Sequence, residues 1–362
     1  ITGPGGTGKS KLLYYFVKEM GINPKWKSVW IHAENCEQFI KFTEWRYPYN
    51  LLVVIDYAGT VASDMGKWLE CLERSTYHPD KMRFVFIERE GIGEDGNFPL
   101  WYQNLKGSGE QARCIERLGW KKNNGTPFFQ LSALEYDQLE KIIEDYAETR
   151  EKVLSSKQRK WILKKAEEID RKQGKPRVLI VLFTADAVLE NREYKKWDMQ
   201  HLIEEIIKKY MEHWKKVTCQ NDEQKFNALS EMLMFATAAG AWVPGDIVPE
   251  LFADSSSILC SMDSDNLEQL ISEVNEEKRF EGKLKPLEPD LIGEYYVLDY
   301  WEKKRYVQGY LKNIFCSLWE YPLYFAQFLY RCMQNYIKQD AFKYLFHNGM
   351  EILMPQENNV QG

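Results

Sequence analysis

The chain lacks any run of about 18 apolar residues, so no transmembrane helix is expected. It also lacks a CxxC pair. Its 7 cysteines are an odd number, spread widely along 362 residues. That usage speaks against a disulfide framework or a zinc site and for the reducing cytoplasm. Positive charge is not in excess: 48 Lys+Arg stand against 54 Asp+Glu, a net charge of −6. A surface built to neutralise phosphate backbones would be basic, so nucleic acid is not expected as the main ligand. The 5 histidines (32, 78, 201, 213 and 347) show no ligand spacing. What is present is ordinary globular material, 44% hydrophobic and 28% charged, enough for two or three domains and not a disordered chain. Aromatics reach 14%. Many sit at helical core spacing and carry no functional weight.

The one sharp local signal is Gly3-Pro4-Gly5-Gly6-Thr7-Gly8-Lys9-Ser10, which fits the phosphate-loop pattern G-x-x-x-x-G-K-[ST]. Glycines let successive backbone N–H groups wrap phosphates without a side-chain clash. Lys9 brings a positive charge to the β- and γ-phosphates, and Ser10 offers a hydroxyl to Mg²⁺. The helix expected from Lys9 points its positive end at the same anions. Such a loop needs a strand in front of it. Only Ile1 and Thr2 precede it here, so the natural chain is expected to extend upstream.

Residues 28–32, 51–56, 83–87 and 127–131 read as strands. Helices are expected at 9–20, 37–45 and 61–75, with 90–126 as a long ordered insertion around Trp101 and Tyr102. Alternating strands and helices predict an α/β layer. After about residue 134 the apolar spacing becomes helical: 134–148, 157–171, 177–189, 199–214 and 226–239, then shorter helices near 267–274 and 290–303 with a strand or hairpin over 279–288. Residues 306–350 read as aromatic-rich helix. Residues 151–175 carry nine Lys/Arg against four Asp/Glu and read as a solvated basic helix face.

Asp56 ends an apolar strand, which is where a Mg²⁺-holding carboxylate would stand, on a strand expected beside the one that feeds the loop. Tyr57, Ala58 and Gly59 follow it, and nothing acidic appears before Asp64. Without a positioned base, hydrolysis is expected to be slow or to depend on a partner. Arg89 follows the 83–87 strand at the sheet edge where ligands of open α/β sheets bind. It can reach a γ-phosphate as an arginine finger does, or pair with Glu88, Glu90 or Asp95. Gly174-Lys175-Pro176 is, by itself, a helix break.

In combination these features resemble the STAND class of P-loop NTPases, signal-transduction relatives of AAA+ proteins that include NACHT and apoptotic-ATPase proteins. The loop, the strand ending in Asp56 and Arg89 match the nucleotide core of that class. Gly174-Lys175-Pro176 is similar to the class motif whose Pro packs on adenine. Residues 287–297, Leu-Glu-Pro-Asp-Leu-Ile-Gly-Glu-Tyr-Tyr-Val, look like its winged-helix segment. The nearer likeness is to bacterial members with Asp-Tyr-Ala after that strand, here Asp56-Tyr57-Ala58. The resemblance spans about residues 1–303. It implies an α/β P-loop NTPase fold with an AAA+/STAND-like parallel sheet over 1–133, a small helical domain over 134–222, a winged helix over 223–303 and C-terminal helices over 304–362.

The same resemblance implies ATP or ADP as cofactor with Mg²⁺. Gly3, Gly5, Gly6, Thr7, Gly8, Lys9, Ser10 and Lys11 would hold the phosphates, Ser10 and Asp56 the metal, and Pro176 the base, with Lys9, Asp56 and Arg89 serving the phosphate chemistry. ADP would hold a closed state and ATP an open, self-oligomerising one. An upstream effector and an unknown trigger would complete the signal, in bacteria as defence against phage. Two departures stand out. Pro289 occupies the place of the class's nucleotide-sensing His, and neither Asp290 nor Arg279 is assigned its role. No acidic residue follows Asp56. Both point to a switch rather than a motor. The rivals are an AAA+-type ATPase remodelling protein or DNA, a nucleotide-binding scaffold without hydrolysis, and a P-loop kinase using Arg113 and Arg117 of the insertion.

Overall fold

Apolar side chains fill Leu51–Ile55 without interruption, the composition of a strand covered on both faces. In the computed structural model this run is the middle strand of a three-stranded parallel sheet, β1 (Trp26–His32), β2 (Asn50–Asp56) and β3 (Met82–Ile87), in that spatial order. The residues described are those up to 348 except 33–35, 37–39, 42–47, 77–79, 94, 120–126, 171–174, 193–197, 241–258, 260–263, 275–283, 308, 338, 340, 341 and 343. The helix expected over 37–45 therefore lies mostly outside them.

Strand alternation divides β2 between two layers. Leu51, Val53 and Ile55 join Ile31 and the Met65, Trp68 and Leu69 side chains of helix α2 (Ala62–Arg74) on one face. Leu52 and Val54 join Leu13 of helix α1 (Lys9–Gly21) and Ile87 on the other. Val53, Val54 and Ile55 are each 0% exposed. Burial of such a side chain contributes roughly 1.5–3 kcal/mol, so the strand that ends in Asp56 is the most firmly seated part of the sheet.

The segment entering the glycine-rich loop lies elsewhere than expected. Thr2 makes parallel bridges to Glu88 on one side and Gln130 on the other. Glu88 N–H donates to the Ile1 carbonyl (3.0 Å), Gly3 N–H to the Arg89 carbonyl (3.3 Å) and Leu131 N–H to the Thr2 carbonyl (2.8 Å). The strand bearing Asp56 is thus not beside the loop-bearing segment, because β3 stands between them. Parallel strands joined by helical crossovers are free to leave a space that a later strand fills. The strand expected over 127–131 is reduced to the bridge at Gln130.

Among its described residues the insertion holds two helices, α3 (Leu100–Lys106) and α4 (Gly109–Leu118), both packed on α2. Three further helices, α5 (Tyr136–Thr149), α6 (Ser156–Ile169) and α7 (Val178–Leu189), pack on one another. The starts of α5 and α6 carry capping boxes, Glu135 with Gln138 and Ser155 with Gln158. Helix α7 is apolar nearly all round and is the core of this layer.

Two compact units result, Ile1–Trp197 and Asp198–Gly362. The second holds α8 (Met199–Val217), α9 (Glu223–Ala239), α10 (Ser264–Val274), α11 (Asp290–Lys304), α12 (Tyr310–Leu318) and α13 (Pro322–Tyr336). Helix α8, grouped by sequence with residues 134–222, sits with the second unit, where the Tyr295 hydroxyl donates to Glu204 (2.6 Å). Trp301, 0% exposed, meets Phe315, Phe325 and Phe328 edge-on, so these four are core, whereas Tyr306 and Tyr330 are exposed. Of the expected hairpin over 279–288 only 284–288 is described, and it is irregular apart from a bridge at Leu284. No helix among the described residues is long and apolar enough to cross a membrane.

Candidate functional site

The glycine-rich loop turns through left-handed backbone at Gly6 (φ +79°) and Gly8 (φ +92°), which side-chain-bearing residues rarely adopt. Gly8 then serves as N-cap of α1, so the helix begins at Lys9 and Ser10. Thr7 Oγ1 donates to the Pro4 carbonyl (2.9 Å) and closes the loop. The Lys9 ammonium is buried beneath it, donating to the carbonyls of Gly3 (2.6 Å) and Pro4 (3.0 Å). Lys11 directs its ammonium over the rings of Tyr15 (5.0 Å) and Tyr14 (5.5 Å) on α1.

Asp56 meets the loop although β3 intervenes. Ser10 Oγ donates to Asp56 Oδ2 (3.0 Å), and the Tyr57 N–H donates to Asp56 Oδ1 (3.0 Å). Tyr57 itself is left-handed (φ +55°), which turns the chain sharply after the carboxylate. Glu88 ties this turn to the next strand end, accepting from Gly59 N–H and Arg89 N–H at 2.8 Å each. The Arg89 guanidinium lies against the loop: a Cβ placed on Gly5 would stand 3.4 Å from its central carbon.

From the helical layer, Pro176 lines a cleft of about 200 Å³ together with Pro4 and Thr7 of the loop and residues 131–134. Lys175 donates to Glu135 (2.5 Å) and holds this segment to the start of α5. Gly174 lies outside the described residues. Arg177, which no motif singles out, reaches the loop as well, its Nη1 lying 3.4 Å from the Gly5 carbonyl. Two residues later the Leu179 N–H donates to the Gly6 carbonyl (3.2 Å). Of the residues weighed against the sensing His, Pro289 is the N-cap of α11 and Asp290 its first residue. Arg279 lies outside the described residues.

The cluster therefore holds a buried ammonium, two guanidiniums, a hydroxyl–carboxylate pair and a glycine loop at a helix N-terminus. Cations and N–H groups set this way suit a chain of phosphates. Among the described residues there is no group of three or more His, Cys, Asp or Glu that could hold a metal by itself. A single carboxylate with a neighbouring hydroxyl suits Mg²⁺, which keeps water and shares phosphate oxygens. No family model matches the chain, and neither the curated proteins nor the solved structures give a match.

Proposed function

We propose that the chain is the nucleotide-binding core of a cytoplasmic P-loop NTPase of the STAND type, a switch that binds ATP or ADP with Mg²⁺ and couples the bound nucleotide to opening and self-assembly. The observation that carries the reading is the meeting of Lys9, the Ser10–Asp56 pair and Arg89 at one glycine-rich loop. Ser10 and Asp56 would hold the metal, whose chemistry is to neutralise phosphate charge. Lys9 would exchange its loop carbonyls for phosphate oxygens. The cleft shared by Pro4, Thr7 and Pro176 supports a base seated against Pro176. Tyr57 after Asp56 supports a slow enzyme, since a phenol is a poor substitute for a carboxylate base.

Calorimetric titration of the full chain with ADP and with Mg·ATP tests the reading. Both should bind, and Lys9→Ala should weaken each by a hundredfold or more. Unchanged affinity in Lys9→Ala would overturn it.

A further inference from the structure

Arg177 is held in a way that an incidental surface cation is not. Its Nε and Nη2 donate to the two oxygens of Asp170 at 2.8 and 2.9 Å, and its own backbone N–H donates to Asp170 Oδ2 (3.0 Å). The Asp170 side chain is 4% exposed and that of Arg177 12%. A carboxylate this buried needs its charge partner and full hydrogen bonding, so the fork of the guanidinium is fixed on one edge. The other edge is left to face the loop, where Nη1 meets the Gly5 carbonyl at 3.4 Å, longer than a good hydrogen bond. Arg89 approaches the same glycine from the sheet. One guanidinium thus comes from each layer of the first unit.

We infer that Arg177 contacts the phosphate chain of the bound nucleotide from the helical layer, and that Asp170 is the positioning residue that aims it. This rests on the nucleotide-binding reading above. Asp170 caps the end of α6 and Arg177 the start of α7, so a phosphate that draws Arg177 toward the loop pulls on both helices through a single ion pair. Bidentate guanidinium–carboxylate pairing transmits direction as well as charge, which a lysine at 177 could not do.

The test is a ladder of AMP, ADP and Mg·ATP binding to the full chain at fixed ionic strength. Variants are Arg177→Ala, Arg177→Lys and Asp170→Asn, with the double variant Asp170→Asn/Arg177→Gln to avoid leaving a buried carboxylate unpaired. Arg177→Ala and the double variant should lose about tenfold or more in ATP affinity, from a lost charged hydrogen bond, with smaller losses for ADP and least for AMP. Asp170→Asn should reproduce that graded loss, and Arg177→Lys should recover only part of it. A merely structural role would lower all three affinities together or leave them unchanged, and either result overturns the inference. Lys9→Ala serves as the control: a parent chain that binds no nucleotide at all sinks the nucleotide reading and this inference with it, whereas a parent that binds while the ladder stays flat sinks this inference alone.

Discussion

Ser10 Oγ lies 3.0 Å from Asp56 Oδ2, although a whole strand separates Asp56 from the segment that leads into the loop. The hydroxyl reaches the carboxylate because α1 starts over the C-terminal edge of the sheet, where β2 ends. Two oxygens brought together by different elements are a natural seat for one hard cation.

Metal dependence should follow this pair. Asp56→Asn should weaken Mg·ATP binding tenfold or more while changing ADP binding without Mg²⁺ by less than threefold, read by calorimetry with and without EDTA. Ser10→Ala should act in the same direction with a smaller effect. Equal losses with and without metal would remove Asp56 from the metal site.

Turnover should be slow. The full chain should hydrolyse ATP well below the typical enzyme rate of about 10 s⁻¹, and EDTA should abolish what remains. A steady-state phosphate-release assay reads this directly. Fast hydrolysis by monomers would favour a motor over a switch.

Pro176 offers a test of base recognition. Pro176→Ala should weaken ADP severalfold, because Pro176 lines the cleft; the residue is buried, so melting curves of variant and parent separate lost binding from lost stability. A variant that binds ADP like the parent would return residues 174–176 to a plain helix break.

Assembly should require the γ-phosphate. With its trigger and a non-hydrolysable ATP analogue, the natural protein should form oligomers by light scattering. Arg89→Ala and Lys9→Ala should remain monomeric. Assembly that ignores both substitutions would leave a nucleotide-binding scaffold as the better account.

Thiol chemistry checks the first unit independently of any ligand. Burial pushes the Cys36 thiol up to about 11, and burial together with a hydrogen bond to Glu73 pushes Cys114 up to about 12. Both should resist alkylation at pH 8 in the native chain, while exposed Cys71 reacts, as mapped by mass spectrometry. A thiol whose folded pKa is raised favours the folded state fully below its unfolded value of about 8.5. That contribution is lost as pH rises toward 11 and 12, so denaturant midpoints should fall across that alkaline range.

Much of the α/β layer was legible because its signals are local. The apolar run 51–55 could be little else than a buried strand, and 62–74 shows a clear apolar stripe. The helices of the insertion were not legible. Helix α3 has seven residues and α4 has ten and buries only Cys114 and Ile115, stripes too short and too sparsely apolar to stand out. The spatial order of the strands was misread because sequence order does not record where a parallel crossover leaves a space. The glycine loop, Lys9, Ser10 and Asp56 were found from spacing and strand ends. Arg177 was not, because its partners are Asp170, beyond a helix break, and Gly5, 172 residues away, and neither relation leaves a trace in a linear pattern.

The clamping of Thr2 between Glu88 and Gln130 has a bearing on how the chain reaches this state. Each pairing closes a long loop of chain, and such closures cost entropy before any contact repays it. Helices α1, α2 and α5 can form from neighbours in sequence, but the glycine loop acquires its walls only when the β3 end, residues 129–131 and the start of α7 have all arrived. The completed site therefore depends on several long-range closures at once. A ligand that binds only the completed arrangement adds about 2.7 kcal/mol to its stability at one hundred times the dissociation constant, so any such ligand would hold these closures together.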